Sequence, residues 1–356
     1  MTTPSKRFSS RTGLVALLLG ATTLACAGRP ASASIEPQAA APTRSDPLPS
    51  WNDGSAKTAI VEFVEAAVDP SSPGFIEPAD RVATFDNDGT LWTEHPMYTQ
   101  LAFALDRVRE LAPEHPEWRT LQPFQGVLEG DLEAVKAAGT KGLLELVLAS
   151  HAGMTTDDFE AIVQAWLSEA RHPRFDRPYT DLGYRPMREV LEYFRDNGFE
   201  TFIVSGGGID FMRPWTEDVY GIPPEQVVGS TVRTVYEVAD GEPVIERLPE
   251  LEFINDESGK PLGIHRFIGR RPVAAFGNSA GDREMLEWTS AGDGPRLAML
   301  VFHDDAEREY AYGPARGLED THVGTFPEVL MEEAEAKGWI VISMRDDWKR
   351  VFSFDD

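Results

Sequence analysis

From Trp51 onward, apolar residues recur at two spacings, and the order of those spacings predicts the architecture. Ile60, Val61, Val64 and Ala67 form a stripe at helical spacing. The run Arg81-Val82-Ala83-Thr84-Phe85 then reads as a short core strand that ends on acidic residues. From about residue 94 to 180 the spacing is helical, over 97–112, 127–138, 141–151 and 157–171, with no clear strand. Thr155 and Asp158 stand at capping-box spacing before the last of these helices.

Strand signals then resume. A helix over about 185–197 stops at Asn197-Gly198, and a strand over 201–204 runs into Ser205-Gly206-Gly207-Gly208. A hairpin region over 227–254 turns at Asp240-Gly241. A helix after Lys260, strands over 273–276 and 297–301, a helix near 326–336 and a strand over 339–343 complete the chain. Strands alternating with helices predict a doubly wound, mainly parallel α/β sheet, whose ligands sit at the C-terminal ends of the strands. Residues 51–93 and 181–356 supply that core, and residues 94–180 form a helical domain inserted after its first strand.

The N-terminal stretch has a different character. Lys6, Arg7 and Arg11 precede the apolar run Leu14 to Leu19, which is too short to span a bilayer. Residues 1–26 therefore read as an export signal. Thr23-Leu24-Ala25-Cys26 resembles a bacterial lipoprotein cleavage site, in which Cys26, the only cysteine, carries the lipid. Plain secretion, with cleavage after Ala27 or Ala33, is the rival reading. Either way the protein is expected in the periplasm or at the cell surface, with a membrane contact only through that lipid. Residues 27–50, rich in Ala, Pro and Ser, read as a tether.

Composition narrows the function. With 42% apolar and 26% charged residues the chain is an ordinary globular protein. A net charge of -26 repels nucleic acid. It also means that any anionic substrate needs local positive charge from a metal ion or a well-placed lysine.

Three polar clusters follow predicted core strands, so they converge at one edge of the sheet. In Asp86-Asn87-Asp88-Gly89-Thr90, two carboxylates lie two residues apart. One can attack while the other, set back by a peptide unit, carries a proton. A plain turn is the bland alternative. A calcium loop is the sharper one, but with Gly89 at its sixth position the first and twelfth ligands fall on Thr84 and His95, where acids are needed. Ser205-Gly206-Gly207-Gly208 offers a hydroxyl and backbone N–H groups to an anion. In Gly277-Asn278-Ser279-Ala280-Gly281-Asp282, Asn278 and Asp282 offer oxygen ligands for a hard cation. Lys260 opens the helix that leads to this third cluster.

In the order FDNDGT, VSGG, GK, GNSxxD, these segments resemble the four motifs of the haloacid dehalogenase superfamily, phosphoserine phosphatase-like members included. The helical insertion is similar to that superfamily's cap domain. The resemblance implies a Mg2+-dependent phosphomonoester hydrolase acting on a small phosphorylated substrate through an aspartyl-phosphate. Asp86 is then nucleophile and metal ligand, and Asp88 is general acid/base and gives its backbone carbonyl to the metal. Ser205 and the Gly206 N–H hold the phosphoryl group, Lys260 neutralises it, and Asn278 and Asp282 complete the metal shell. The superfamily often has Asp where this chain has Asn278, which lowers the site's negative charge.

Dehalogenases of the superfamily expel halide and generally lack the second aspartate, so Asp88 favours phosphate chemistry. Phosphonate cleavage, phosphomutase action and an inactive surface-anchored binding protein stay open as alternatives. Trp92 and Glu94, directly after the first motif, are the candidates to line the substrate pocket, where they would suit a cationic or amino-bearing ester. His95, His265 and His303 lack metal-ligand spacing and read as structural or surface residues.

Overall fold

The computed structural model describes residues 45–355, so the export and lipidation expectations, Cys26 included, lie outside the described residues. The chain opens with α1 (Ser55–Val68) and β1 (Val82–Phe85). An insertion follows, built from α2 (Thr99–Leu111), α3 (Phe124–Glu129), α4 (Leu132–Ala137), α5 (Gly139–His151), the two-residue strand β2 (Met154–Thr155) and α6 (Thr156–Glu169). Next come α7 (Arg185–Asp196), β3 (Glu200–Gly208), α8 (Ile209–Tyr220) and the hairpin of β4 (Val227–Ala239) and β5 (Glu242–Phe253). Then follow α9 (Gly259–Gly263), β6 (Ala274–Gly277), α10 (Arg283–Ser290) and β7 (Leu297–Phe302). The last elements are α11 (Glu328–Lys337), β8 (Ile340–Ser343) and α12 (Met344–Asp347).

The strands form one eight-stranded sheet in the order β2-β5-β4-β3-β1-β6-β7-β8. It is parallel from β4 through β8 and antiparallel only where β5 pairs with β4 and with β2. The chain builds outward from β1 through β3 and β4, then returns to the opposite side of β1 with β6. That reversal makes β1 the switch point of the sheet, and the crevice beyond its C-terminal end is where such a fold takes its ligand. Phe85, the last residue of β1, pairs with Ile203 on one side and Phe276 on the other. The polar residues that follow each of these strands therefore leave the sheet close together.

Both faces of the sheet are buried, which explains the near-continuous apolar strands. Leu297, Met299 and Val301 of β7 face the side covered by α1 and α7, while Ala298, Leu300 and Phe302 face α10 and α11. Under β1, Phe85 and Phe276 stack at 4.6 Å, and Phe194 of α7 meets both rings edge-on. These ring contacts add to the area term that drives burial.

The insertion has a small core of its own, with Val108, Trp118, Phe124, Val127 and Leu146. Three expectations change here. The single helix expected over 127–138 is two helices, because Gly130 takes the left-handed conformation at φ 73° and Asp131 starts a new helix by accepting from the Ala134 N–H at 3.0 Å. The insertion is not purely helical: β2 pairs with β5, joining the helices to the β4–β5 hairpin. Two residues are too few to show an alternating pattern. Finally, the tether ends before residue 50, because Leu48 is fully buried and the Ser50 hydroxyl donates to Glu189 at 2.7 Å. The Thr155 hydroxyl accepts from the Asp158 N–H at 3.1 Å, as the capping spacing predicts. No helix among the described residues is long and apolar enough to cross a membrane.

Phe194→Ala tests this core directly. It removes a fully buried ring that touches Phe63, Phe85, Phe199 and Phe276. The expected loss is about 3–5 kcal/mol, read as a lower midpoint in urea unfolding. A loss of less than about 1 kcal/mol would show that the site collapses around the gap.

Candidate active site

The first motif is a tight turn at the end of β1. The Asp86 N–H donates to the Phe276 carbonyl at 2.9 Å, which extends the pairing with β6 by one residue. The Asn87 carbonyl then accepts from the N–H groups of Leu91 and Thr90. Gly89 makes the turn possible at φ 75°, and a Cβ there would lie 2.1 Å from Asn278 Nδ2 and 2.3 Å from Glu94 Oε1. From beneath, His303 Nε2 lies 2.8 Å from the Gly89 carbonyl, and its Nδ1 lies 3.2 Å from Glu309. Glu309 is held in turn by the hydroxyls of Thr93 and Tyr184. His303 is thus a buried structural residue, as expected, and its place is under the motif.

Lys260 is the electrostatic centre. Its ammonium donates to Asp86 Oδ1 at 2.6 Å and to Asp282 Oδ1 at 2.5 Å, and all three side chains are buried. Burial alone would lower the Lys260 pKa, but Asp282 and Asp86 outweigh it and hold the ammonium above its usual range. Burial pushes the Asp86 carboxyl well up, the Asp282 charge adds to this, and Lys260 works against both. Asp282 Oδ2 accepts from the N–H groups of Asn278 at 2.9 Å and Ser279 at 3.0 Å. Asp282 therefore fixes the third motif and Lys260 at once.

A cavity of about 290 Å³ opens over these groups, lined among others by Asp86, Asp88, Glu94, Ser205, Gly206 and Lys260. It brings together the expected nucleophile, proton carrier and phosphate-holding residues. Burial raises the Asp88 pKa to about 6, although the Trp92 indole N–H donates to its Oδ1 at 2.8 Å. The Ser205 hydroxyl accepts from the Gly207 N–H at 3.1 Å. Gly206 faces Asp256, whose carboxyl would sit 3.3 Å from an added Cβ. Asp256 carried no motif signal in the sequence.

Two expected site residues need correction. Trp92 does not line the cavity: its ring is 1% exposed and stacks on Trp215 at 4.3 Å, beneath Asp88. An aromatic seven residues past a strand end is read from sequence as pocket or core with equal ease, and here the core takes it. Asp282 is fully buried with both carboxylate oxygens engaged, so it supports the site rather than offering a free ligand. Asn278 is also buried beside the cavity. Its Oδ1 accepts from the Thr90 hydroxyl at 3.1 Å, and its Nδ2 donates to Glu94 at 2.7 Å.

Glu94 does line the cavity. Its Oε1 also accepts from the Tyr312 hydroxyl at 2.6 Å. Burial pushes its carboxyl well above the usual range, and the nearby charges of Asp88 and Asp86 push the same way against the Tyr312 hydrogen bond. The carboxylate that the sequence lacks at Asn278 thus reappears on Glu94, against the same amide.

The donor set suits a hard divalent cation. Asp86, Asp88 and Glu94 bring three carboxyls to one cavity, and Asp86 Oδ2 has no hydrogen-bond donor among the described residues. The remaining oxygens are neutral: the Asp88 carbonyl and the Asn278 amide. No group of three or more His, Cys, Asp or Glu side chains is arranged to hold a metal among the described residues, so neutral oxygens have to complete any shell.

Residues 83–287 match the family of haloacid dehalogenase-like hydrolases. No curated protein matches the chain. Among solved structures, it is similar to a conserved protein of unknown function from Anaerococcus prevotii DSM 20548, at 17% identity over 70% of this chain and 86% of that one, with a TM-score of 0.46. A protein of unknown function from Bordetella pertussis Tohama I matches at 17% identity over 74% and 97% of the two chains, with a TM-score of 0.46. A phosphoserine phosphohydrolase-like protein from Francisella tularensis subsp. tularensis SCHU S4 matches at 17% identity over 63% and 88%, with a TM-score of 0.35.

Lys260→Met isolates the central charge. It leaves Asp86 and Asp282 buried without their cation and should cost about 3–5 kcal/mol in urea unfolding at pH 7. Without the cation, the buried Asp86 carboxyl takes up its proton at higher pH in the folded than in the unfolded chain. Stability is then lost as pH rises, so the deficit should shrink at pH 5. A deficit that is equal at both pH values would contradict this reading.

Proposed function

The chain belongs to the haloacid dehalogenase-like hydrolases, which it matches over residues 83–287, and on that premise we propose that it is a Mg2+-dependent phosphomonoester hydrolase. The observation that carries the reading is the convergence of Asp86, Asp88, Ser205 and Lys260 on one cavity at the switch point of the sheet.

In this reading Asp86 Oδ2 attacks phosphorus in line with the leaving oxygen, and the Lys260 ammonium opposes the burial that raises the Asp86 carboxyl pKa. Ser205 and the backbone at Gly206 hold the phosphoryl oxygens. Asp88, with its pKa raised to about 6, gives its proton to the leaving oxygen as the ester bond breaks. An aspartyl-phosphate is left on Asp86. Asp88, now ionised, takes a proton from water, whose oxygen attacks the phosphorus. The bond to Asp86 breaks, phosphate leaves, and both aspartates return to their starting states. Phosphoryl transfer asks mainly for positioning and charge neutralisation, which Lys260 supplies from the protein side.

Asp86, the Asp88 carbonyl and the Asn278 amide oxygen would hold Mg2+, with the Glu94 carboxyl orienting the Asn278 amide from behind. Bound there, Mg2+ neutralises charge that develops on the transferring group. Asp88 separates this reading from dehalogenation, which needs no proton donor. Its placement outside the cytoplasm rests on the N-terminal sequence alone.

Purified protein should release phosphate from p-nitrophenyl phosphate in Mg2+, and EDTA should stop turnover until Mg2+ is restored. Asp86→Asn should abolish turnover with an unchanged unfolding midpoint. Asp88→Asn should lower kcat about 10²- to 10⁴-fold. A wild type that is inert over a broad panel of phosphate esters, or indifferent to EDTA, would contradict the reading.

A further inference from the structure

A second cavity, of about 410 Å³, adjoins the first and shares walls with it at Tyr98, Gln100, Leu143, Val147 and Gly206. It runs between the insertion and the β4–β5 hairpin. Its surface is apolar, with Leu148 from α5, Phe211 from α8, Val232 from β4 and Leu251 from β5. A substrate whose phosphate sits at Asp86 can extend its leaving group into this space.

Most polar side chains in this wall are taken up by protein partners; the Thr231 hydroxyl is the exception among the described residues. Gln100 accepts from the Gly208 N–H at 2.7 Å and holds His151 Nε2 at 3.0 Å. His151 Nδ1 meets the Ser150 hydroxyl at 2.7 Å, and burial together with the charge of Arg247 lowers the His151 pKa to about 3, so the ring stays neutral. Arg247 is ion-paired with Asp210, donates to the His151 carbonyl at 2.7 Å and lies over the Phe159 ring. Ser230 donates to the Gly206 carbonyl and accepts from the Asn255 N–H. In the first cavity Lys260 is the sole lysine or arginine among the described residues, and Asp86 and Asp282 already hold it.

Among the described residues, these walls offer no unpaired cation to a second phosphate or a carboxylate, and the second cavity has a single open hydroxyl, Thr231, for a sugar. Resting on the phosphatase reading above, we propose that the substrate is a phosphomonoester with an uncharged, apolar leaving group, an alkyl or aryl chain several carbons long. The volume is within the range of small-molecule sites. The amino-bearing ester that Trp92 suggested loses its aromatic partner, because that ring is buried under Asp88.

The test is a series of n-alkyl phosphates from methyl to octyl, assayed with the full protein in Mg2+ beside glucose 6-phosphate, phosphoserine and ADP. We expect kcat/KM to climb about three- to fourfold per methylene until the cavity is filled, given the transfer value of a buried CH2. The three polar esters should fall below hexyl phosphate. Leu251→Asp, which puts a carboxylate in the apolar wall, should lower the octyl-to-methyl ratio at least tenfold. A flat series, or preference for a polar ester, overturns the inference while leaving the phosphatase reading intact. No hydrolysis of any ester overturns the phosphatase reading itself. Should Leu251→Asp fail to fold, the wild-type series decides alone.

Discussion

One buried ammonium holds the site together. Lys260 sits between Asp86 and Asp282, which come from strand ends on adjacent strands and lie 196 residues apart in sequence. Without that cation, two buried carboxylates would stand side by side, and burial would push both toward the neutral acid. With it, the effect of burial on Asp86 is opposed by a positive charge, and the third motif is fixed against the first. The pair contributes little net stability by itself, since each charge has been taken out of water. Its value is in geometry and in the positive charge it sets against the burial of Asp86.

The sheet makes this arrangement possible. Because the chain reverses its direction of growth at β1, the ends of β3 and β6 flank the end of β1, and Phe85 registers against both. Below, the ring contacts of Phe85, Phe276 and Phe194 tie β1 and β6 to α7. The insertion and the β4–β5 hairpin then close over the strand ends, tied together by β2. The candidate site residues are thus carried by the sheet, while the size and polarity of the adjoining cavity are set by the elements above it.

Much of this was legible in the chain because it depends on local order. Asp86, Ser205 and Asn278 each follow a short apolar run, so a reader of the sequence places them at strand ends before seeing any contact. The helix at Lys260 and the Asp240-Gly241 turn are equally local signals. What was not legible depends on partners distant in sequence. Glu94 meets Asn278 and Tyr312, and His303 reaches back to Gly89, across gaps that no spacing rule spans. Trp92 illustrates the opposite failure: its position beside the motif suggested a pocket wall, but Trp215 claims its face. The buried Leu48 lies inside a Pro-rich stretch whose composition reads as tether.

The account stands or falls on Asp86 as the group that receives phosphate. Asp88→Asn should slow attack by water on the intermediate more than it slows formation with an aryl phosphate, whose leaving group needs little protonation. Acid-quenching that variant after a single turnover and mapping the phosphoryl group by peptide mass spectrometry tests the claim directly. The account predicts a hydroxylamine-labile phosphoryl group on the peptide that contains Asp86, absent when Asp86 is also replaced by Asn. Product release with no phosphoryl group on that peptide at any quench time would contradict it.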